Sequence, residues 1–170
     1  MQATANVLTV EDDPIVRADL RLVLEDAGFS VCPGARDGVE AVELAREHEP
    51  DVILLDLGLP RVDGVEVTRR ILAERSVPIV AFTGRSRDVA ERAVEAGVTS
   101  FVLKPCGDGE IVQALRDAIT THATAALSAA REESRRALTE LADMFGYPEG
   151  WGAELEARAY AAGKTWRRSR

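Results

Sequence analysis

Two hydrophobic patterns alternate along the first 120 residues. Short apolar runs stand at Val7–Val10, Val52–Leu55, Ile79–Phe82 and Phe101–Leu103, with a weaker one at Phe29–Cys32. They are rich in β-branched or aromatic residues and lack polar alternation, which is how strands buried on both faces of a parallel sheet read. Between them, apolar residues recur at helical spacing: Ile15, Leu20, Val23 and Leu24; Val39, Val42, Leu44 and Ala45; Val65, Val67, Ile71 and Leu72; Val89, Ala93, Val94 and Ala96. Gly28, Pro50 and Gly97 sit where those helices should stop. Five strand–helix repeats predict a doubly wound α/β domain with a five-stranded parallel sheet. Its expected span is residues 1–120, followed by a helical segment over 121–170.

The pattern changes beyond Pro105. From Glu110 to Phe145 there are 36 residues without Gly or Pro, with apolar positions at Ile111, Leu115, Ile119, Leu127, Leu138, Leu141 and Phe145. One continuous helix of that length would run roughly 54 Å. Thr120, Thr121 and Thr124 are its weakest helix formers, and a break near them is compatible with the pattern. Gly146–Gly150, with Pro148 inside, reads as a turn, and Ala153–Ala162 as a last short helix before a basic tail of Lys164, Arg167, Arg168 and Arg170.

Composition narrows the class. With 46 % hydrophobic and 29 % charged residues in 170, the chain can bury a sizeable core. No stretch approaches 18 apolar residues, so no transmembrane helix is expected. Residues 1–6 lack the basic and apolar regions of a signal peptide. Two cysteines, Cys32 and Cys106, cannot form a disulfide framework, and no Cys/His cluster has zinc spacing. The expected compartment is the reducing cytoplasm. A net charge of −8 argues against nonspecific nucleic-acid binding by the whole chain. Most of it lies in residues 1–106, which hold 19 acidic and 12 basic residues.

The chemistry is carried by the residues just past each buried run. After Val10 come Glu11, Asp12 and Asp13; after Leu55, Asp56; after Phe82, Thr83; after Leu103, Lys104. In a doubly wound sheet these positions share the carboxyl edge, where ligands bind. Clustered carboxylates repel, and one lysine cannot neutralise them. A hard divalent cation with oxygen ligands resolves the conflict, and Mg²⁺ suits a small, partly hydrated carboxylate site. Lys104 offers a point charge for phosphate, and Thr83 a hydroxyl. Asp56, at the centre of the edge, is the candidate nucleophile, since carboxylates accept phosphoryl groups covalently. Taken singly, each residue has a plainer role: Asp56 a turn cap, Glu11 and Asp12 a solvated helix start, Thr83 a turn residue, Lys104 a surface lysine, Phe101 core packing. Cys106 reads as an inert loop thiol.

The segments Val10-Glu11-Asp12-Asp13-Pro14, Leu55-Asp56-Leu57-Gly58-Leu59-Pro60 with Asp63-Gly64, Phe82-Thr83-Gly84 and Phe101-Val102-Leu103-Lys104-Pro105 together resemble the receiver domain of two-component response regulators. The resemblance spans residues 5 to about 120 and implies a flavodoxin-like fold. It also implies a phosphoacceptor at Asp56, served by a histidine kinase or phosphotransfer protein, in a chain that is not a turnover enzyme. It further implies Mg²⁺ held by Asp12, Asp56 and the carbonyl of Gly58, with Glu11 acting through water. Thr83 and Phe101 would form a switch pair, and Lys104–Pro105 would be cis. Asp13, one position past the acidic pair, reads as the start of the next helix with Pro14 in its first turn. A haloacid-dehalogenase-type phosphatase would need a second Asp two residues after the nucleophile, where Gly58 stands.

The last fifty residues say less. They are too few for a winged helix after a linker, and they lack a basic recognition helix. The order of receiver, extended helix and short helical end is similar to regulators carrying the RNA-binding antitermination module called ANTAR. Leu138, however, stands where a basic residue is expected. Two outputs stay open: a segment for protein contacts or homodimerisation, or RNA binding through Arg131, Arg135, Arg136 and the tail. Interspersed Glu132, Glu133 and Glu140 allow those arginines to be a solvated face instead.

Overall fold

The structure, a computed structural model, describes residues 4–60, 62–84, 87–146, 150, 153, 154, 157 and 158. Tyr147, Pro148 and Glu149, most of the expected final helix and the basic tail lie outside the described residues.

Strands and helices alternate: β1 (Asn6–Val10), α1 (Pro14–Asp26), β2 (Ser30–Val31), α2 (Gly38–His48), β3 (Val52–Leu55), α3 (Gly64–Glu74), β4 (Ile79–Thr83), α4 (Arg87–Glu95), β5 (Ser100–Leu103) and α5 (Asp108–Met144). The five strands form one sheet in the order β2-β1-β3-β4-β5, with every pairing parallel. This is the expected doubly wound, flavodoxin-like order.

Alternate residues of the central strands face opposite sides, so each strand feeds two cores. Leu8, Val10, Ile53, Leu55, Ile79 and Ala81 pack with Ala41 and Ala45 of α2 and with Val65, Val67 and Ile71 of α3. Val7, Val52, Leu54, Val80 and Phe82 pack with Leu20 and Leu24 of α1 and with Ile111, Leu115 and Ala118 of α5. Burial on both faces is why these runs lack polar alternation. β5 departs from that reading. It is an edge strand, with Val102 buried but Phe101 and Leu103 half exposed. Ile15, Val39 and Val94, each counted in a helical stripe, are also half exposed or more.

Helix ends obey their sequence signals. Asp13 caps α1, with Pro14 at its first position. Asp37 and Asp63 cap α2 and α3. Gly28 and Gly97 come after α1 and α4 at φ +87° and +106°, and Glu49 closes α2 in the left-handed region just before Pro50.

The chain divides into two compact units, 1–122 and 123–170. In the second, the described residues are the last part of α5, Phe145, Gly146 and Gly150 in turns, and short helical stretches at 153–154 and 157–158. A break near Thr120–Thr124 does not occur, for α5 runs unbroken to Met144. The hydroxyl of Thr120 donates to the carbonyl of Arg116 at 2.9 Å, one turn back, so it joins the helix instead of competing with it. No helix among the described residues is long and apolar enough to cross a membrane.

Candidate functional site

Register brings the strand ends together. Val10 pairs with Leu55, Leu55 with Ala81, and Thr83 with Leu103. The residues just past them therefore emerge at one edge of the sheet. Glu11 leaves β1 with its N–H on the carbonyl of Ala35 at 3.0 Å. The N–H of Asp56 donates to the carbonyl of Val10 at 2.9 Å, and that of Lys104 to Thr83 at 3.0 Å. These bonds fix where each side chain departs before any side-chain contact is made.

The side chains then converge. One carboxylate oxygen from each of Glu11, Asp12 and Asp56 lies within 4.8 Å of the others. The ammonium of Lys104 bridges two of these acids, at 2.8 Å from Glu11 Oε2 and 2.8 Å from Asp56 Oδ2. It also lies 4.4 Å from the centre of the Phe82 ring, a cation–π contact that steers the lysine stem across the end of β4. The other Asp56 oxygen, Oδ1, accepts the N–H of Gly58 at 2.7 Å. Glu11 Oε1 accepts the N–H of Asp13 at 3.3 Å. The site is unequal in exposure: Glu11 and Asp56 are buried and Asp12 is exposed.

That burial sets the electrostatics. It pushes the Glu11 carboxyl above its usual range, against the pull of Lys104. Burial alone would lower the Lys104 ammonium, but the hydrogen bonds and charges of Asp56 and Glu11 outweigh it and raise the lysine above its ordinary value. Lys104 is thus fixed as a cation. Three acids gathered around one ammonium, which pairs with Glu11 and Asp56 but not with Asp12, leave an excess of negative charge, open on the Asp12 side. An all-oxygen donor set with that excess fits a hard divalent ion such as Mg²⁺.

The other sequence candidates take varied places around this cluster. Thr83 ends β4 and its side chain is fully buried. Gly58 lies two residues beyond Asp56, and a Cβ there would meet Asp56 Oδ1 at 3.1 Å. Phe101 does not pack in the core; it is 48 % exposed on the edge strand and lines a groove with Leu103, Pro105, Gln113 and Asp117. Lys104–Pro105 is cis. Cys106 is half-buried, and burial raises its thiol, which keeps it protonated. Gly84 leaves room for a side chain, with only Lys104 Cβ at 3.8 Å.

Two further residues shape the site without being candidates for its chemistry. Gly64 opens α3 where a Cβ would stand 2.7 Å from the Leu57 backbone. Glycine there lets α3 start directly against the Asp56 loop; the Asp63-Gly64 pair is the available signal. Arg17, one turn into α1, reaches back to the carbonyls of Glu11 and Asp12, and no spacing rule announces it.

With the geometry in hand, comparison with known proteins is direct. A family model for the response regulator receiver domain matches residues 7–116. The transcriptional regulatory protein PdtaR of Mycobacterium tuberculosis is 38 % identical over 115 residues, covering 67 % of this chain and 56 % of that protein. The chain thus spans little more than half the length of this curated relative. Among solved structures, a two-component response regulator of the LuxR family from Aurantimonas sp. SI85-9A1 is 36 % identical, covering 70 % of this chain and 87 % of that one at a TM-score of 0.65. The receiver domain of the sensor histidine kinase PA1611 from Pseudomonas aeruginosa, solved with a magnesium ion coordinated in its active-site cleft, is 33 % identical, covering 69 % and 99 % at a TM-score of 0.63.

Proposed function

The chain belongs to the response regulator receiver domain family over residues 7–116, and from that premise we propose that it takes a phosphoryl group onto Asp56 from a histidine kinase or phosphotransfer protein. An Asp56 carboxylate oxygen attacks phosphorus. The new O–P bond forms as the P–N bond to the donor histidine breaks, and the imidazole keeps the bonding pair. The observation that carries this reading is the convergence of Glu11, Asp12 and Asp56 with Lys104 donating to two of them.

Each residue has a task. Gly58 N–H holds one Asp56 oxygen and orients the carboxylate. Lys104, already at Asp56 Oδ2, meets the phosphoryl oxygens that replace its present partner. Thr83, at the end of β4, supplies a hydroxyl and, with Phe101, forms the switch pair. Asp12, Asp56 and the Gly58 carbonyl would hold Mg²⁺, with Glu11 acting through water. When bound, that ion neutralises phosphoryl oxygens against the carboxylates.

For residues 123–170 we propose an output through protein contact, including a second copy of this chain. Arg135 and Arg136 both lean on Glu132, at 2.6 and 3.8 Å. That pairing favours a solvated helix face over one that binds RNA phosphates.

The test is incubation with a small acyl or amido phosphate donor and Mg²⁺, mapping of the acyl phosphate, and light scattering on the same samples. Label should reside on Asp56, vanish in Asp56→Asn and vanish with chelator. Undiminished label in Asp56→Asn, or label elsewhere, overturns the assignment.

A further inference from the structure

Arg17 spends its guanidinium on two backbone carbonyls. Its Nη1 donates to Glu11 O at 2.6 Å and to Asp12 O at 3.3 Å. The stem lies in a slot that exists only because position 34 is glycine: a Cβ on Gly34 would stand 2.7 Å from Arg17 Cδ, 2.9 Å from Cγ and 3.1 Å from Thr9 Oγ1. The two residues come from different parts of the chain and fit each other. Arg17 is half-buried, so its path is confined before it reaches the carbonyls.

The acids it holds differ in their other supports. Glu11 has Lys104 and the N–H of Asp13 on its carboxylate. The Asp12 carboxylate has no hydrogen bond among the described residues. Its position is therefore set by its backbone, and that backbone is held on the carbonyl side by Arg17. Just beyond, Asp13 is committed to capping α1, and its carbonyl accepts the N–H of Arg17 at 2.9 Å. The acidic turn is thereby tied to the first turn of α1 from both ends.

We infer that Arg17 is a positioning residue of the cation site, aiming the Asp12 carboxylate by clamping the Glu11 and Asp12 carbonyls, with Gly34 keeping the slot open for its stem. This rests on the reading of Glu11, Asp12 and Asp56 as a Mg²⁺ site. The charge of Arg17 by itself acts in the opposite sense. A guanidinium near a cation site repels the cation, so its removal should tighten binding unless its geometry matters more. The sign of the effect therefore separates positioning from simple electrostatics.

The experiment is calorimetric titration of the full chain with Mg²⁺ alone, with thermal unfolding in chelator alongside. Arg17→Met keeps most of the stem and loses the donors; it should weaken Mg²⁺ binding about 10-fold, the scale of lost supporting contacts around a metal site. Arg17→Lys should recover part of that loss. Gly34→Ala should weaken binding in the same direction by displacing the stem. The double variant should be no worse than Arg17→Met, because both changes remove one interaction. Unchanged or tighter binding by Arg17→Met overturns the inference, as does strict additivity with Gly34→Ala. If Arg17→Met fails to fold, Gly34→Ala carries the test, and unaltered affinity there is the overturning result. If the unsubstituted chain takes up no Mg²⁺, the reading of the site falls and the inference with it.

Discussion

From Asp108 to His122, α5 places Ile111, Leu115 and Ala118 in the cluster shared with β4, β5 and α1. From Ala123 to Met144 the same helix leaves Leu127, Leu141 and Met144 exposed, and Ala142 is its one buried residue among those described. The backbone is equally helical in both halves, yet the forces holding it differ. The first half is helical because a face is buried, the usual source of helix stability in proteins. The second relies on local devices: alanine propensity and the Glu132–Arg135 pair, while the hydroxyls of Ser134 and Thr139 are satisfied on carbonyls one turn back without adding to helix stability. Helical spacing alone does not distinguish the two; burial does.

The sharpest way to break the comparison is to cut the same side chain in each half. Leu115→Ala should destabilise the chain by about 2–5 kcal/mol, the range for a fully buried leucine whose site cannot collapse. Leu127→Ala should stay within about 0.5 kcal/mol, as exposed positions do. Urea unfolding followed by circular dichroism measures both. Equal costs would mean that the second half is packed as firmly as the first.

A smaller effect is expected where the first unit places charge instead of apolar surface. Lys104→Met leaves Glu11 and Asp56 facing each other without their shared cation, at a cost of roughly 1–3 kcal/mol near neutral pH. The pH dependence has a definite sign. Burial raises the folded Glu11 carboxyl, and removing Lys104 removes the groups that oppose that rise. A raised group supports the fold fully below its unfolded value and loses that support as pH rises through its folded value. The deficit of Lys104→Met should therefore shrink as pH falls through the raised Glu11 value, and Mg²⁺ should recover part of it at pH 7. Thermal midpoints against pH, with and without Mg²⁺, check this. A deficit constant down to the acid range would remove Glu11 as its source.

Much of this unit is legible in the residues. The central strands announce themselves because both faces are buried, and Glu11, Asp12, Asp56 and Lys104 because the chain leaves the strands at one edge. β5 is less buried than its run suggests: Phe101 and Leu103 look like core in a short apolar stretch, but only its position at the sheet edge shows that they are half exposed. β2 is no longer than Ser30–Val31, and it pairs with β1 alone, through Asn6–Ser30 and Val7–Val31. A break at Thr120–Thr124 is suggested by propensity, which is a weak prior: the helix formers on both sides carry α5 through the threonines. Arg17 is hidden from sequence for another reason. Its partners are carbonyls, which every residue owns, so no residue type marks the contact.

The mildest test lies in the second half of α5. Arg135 donates to Glu132 at 2.6 and 3.0 Å, and Arg136 approaches it at 3.8 Å. Glutamate on the N-terminal side of arginine is the favourable order on a helix. The hydrogen bond from Arg135 lowers the Glu132 carboxyl below its usual value. A lowered group supports structure above its ordinary value and loses that support as pH falls through its lowered one. Glu132→Gln removes the charge while keeping nearly the same helix propensity, so the substitution isolates the pair. In a peptide covering residues 120–146, it should reduce helicity at neutral pH and low salt. The difference should disappear in molar salt, where exposed charges are screened, and again at pH below the lowered glutamate value. Far-ultraviolet circular dichroism across salt and pH reads all three conditions. If parent and variant are equally helical at low salt, alanine propensity holds this half alone, and the ion pair is only a consequence of the helix.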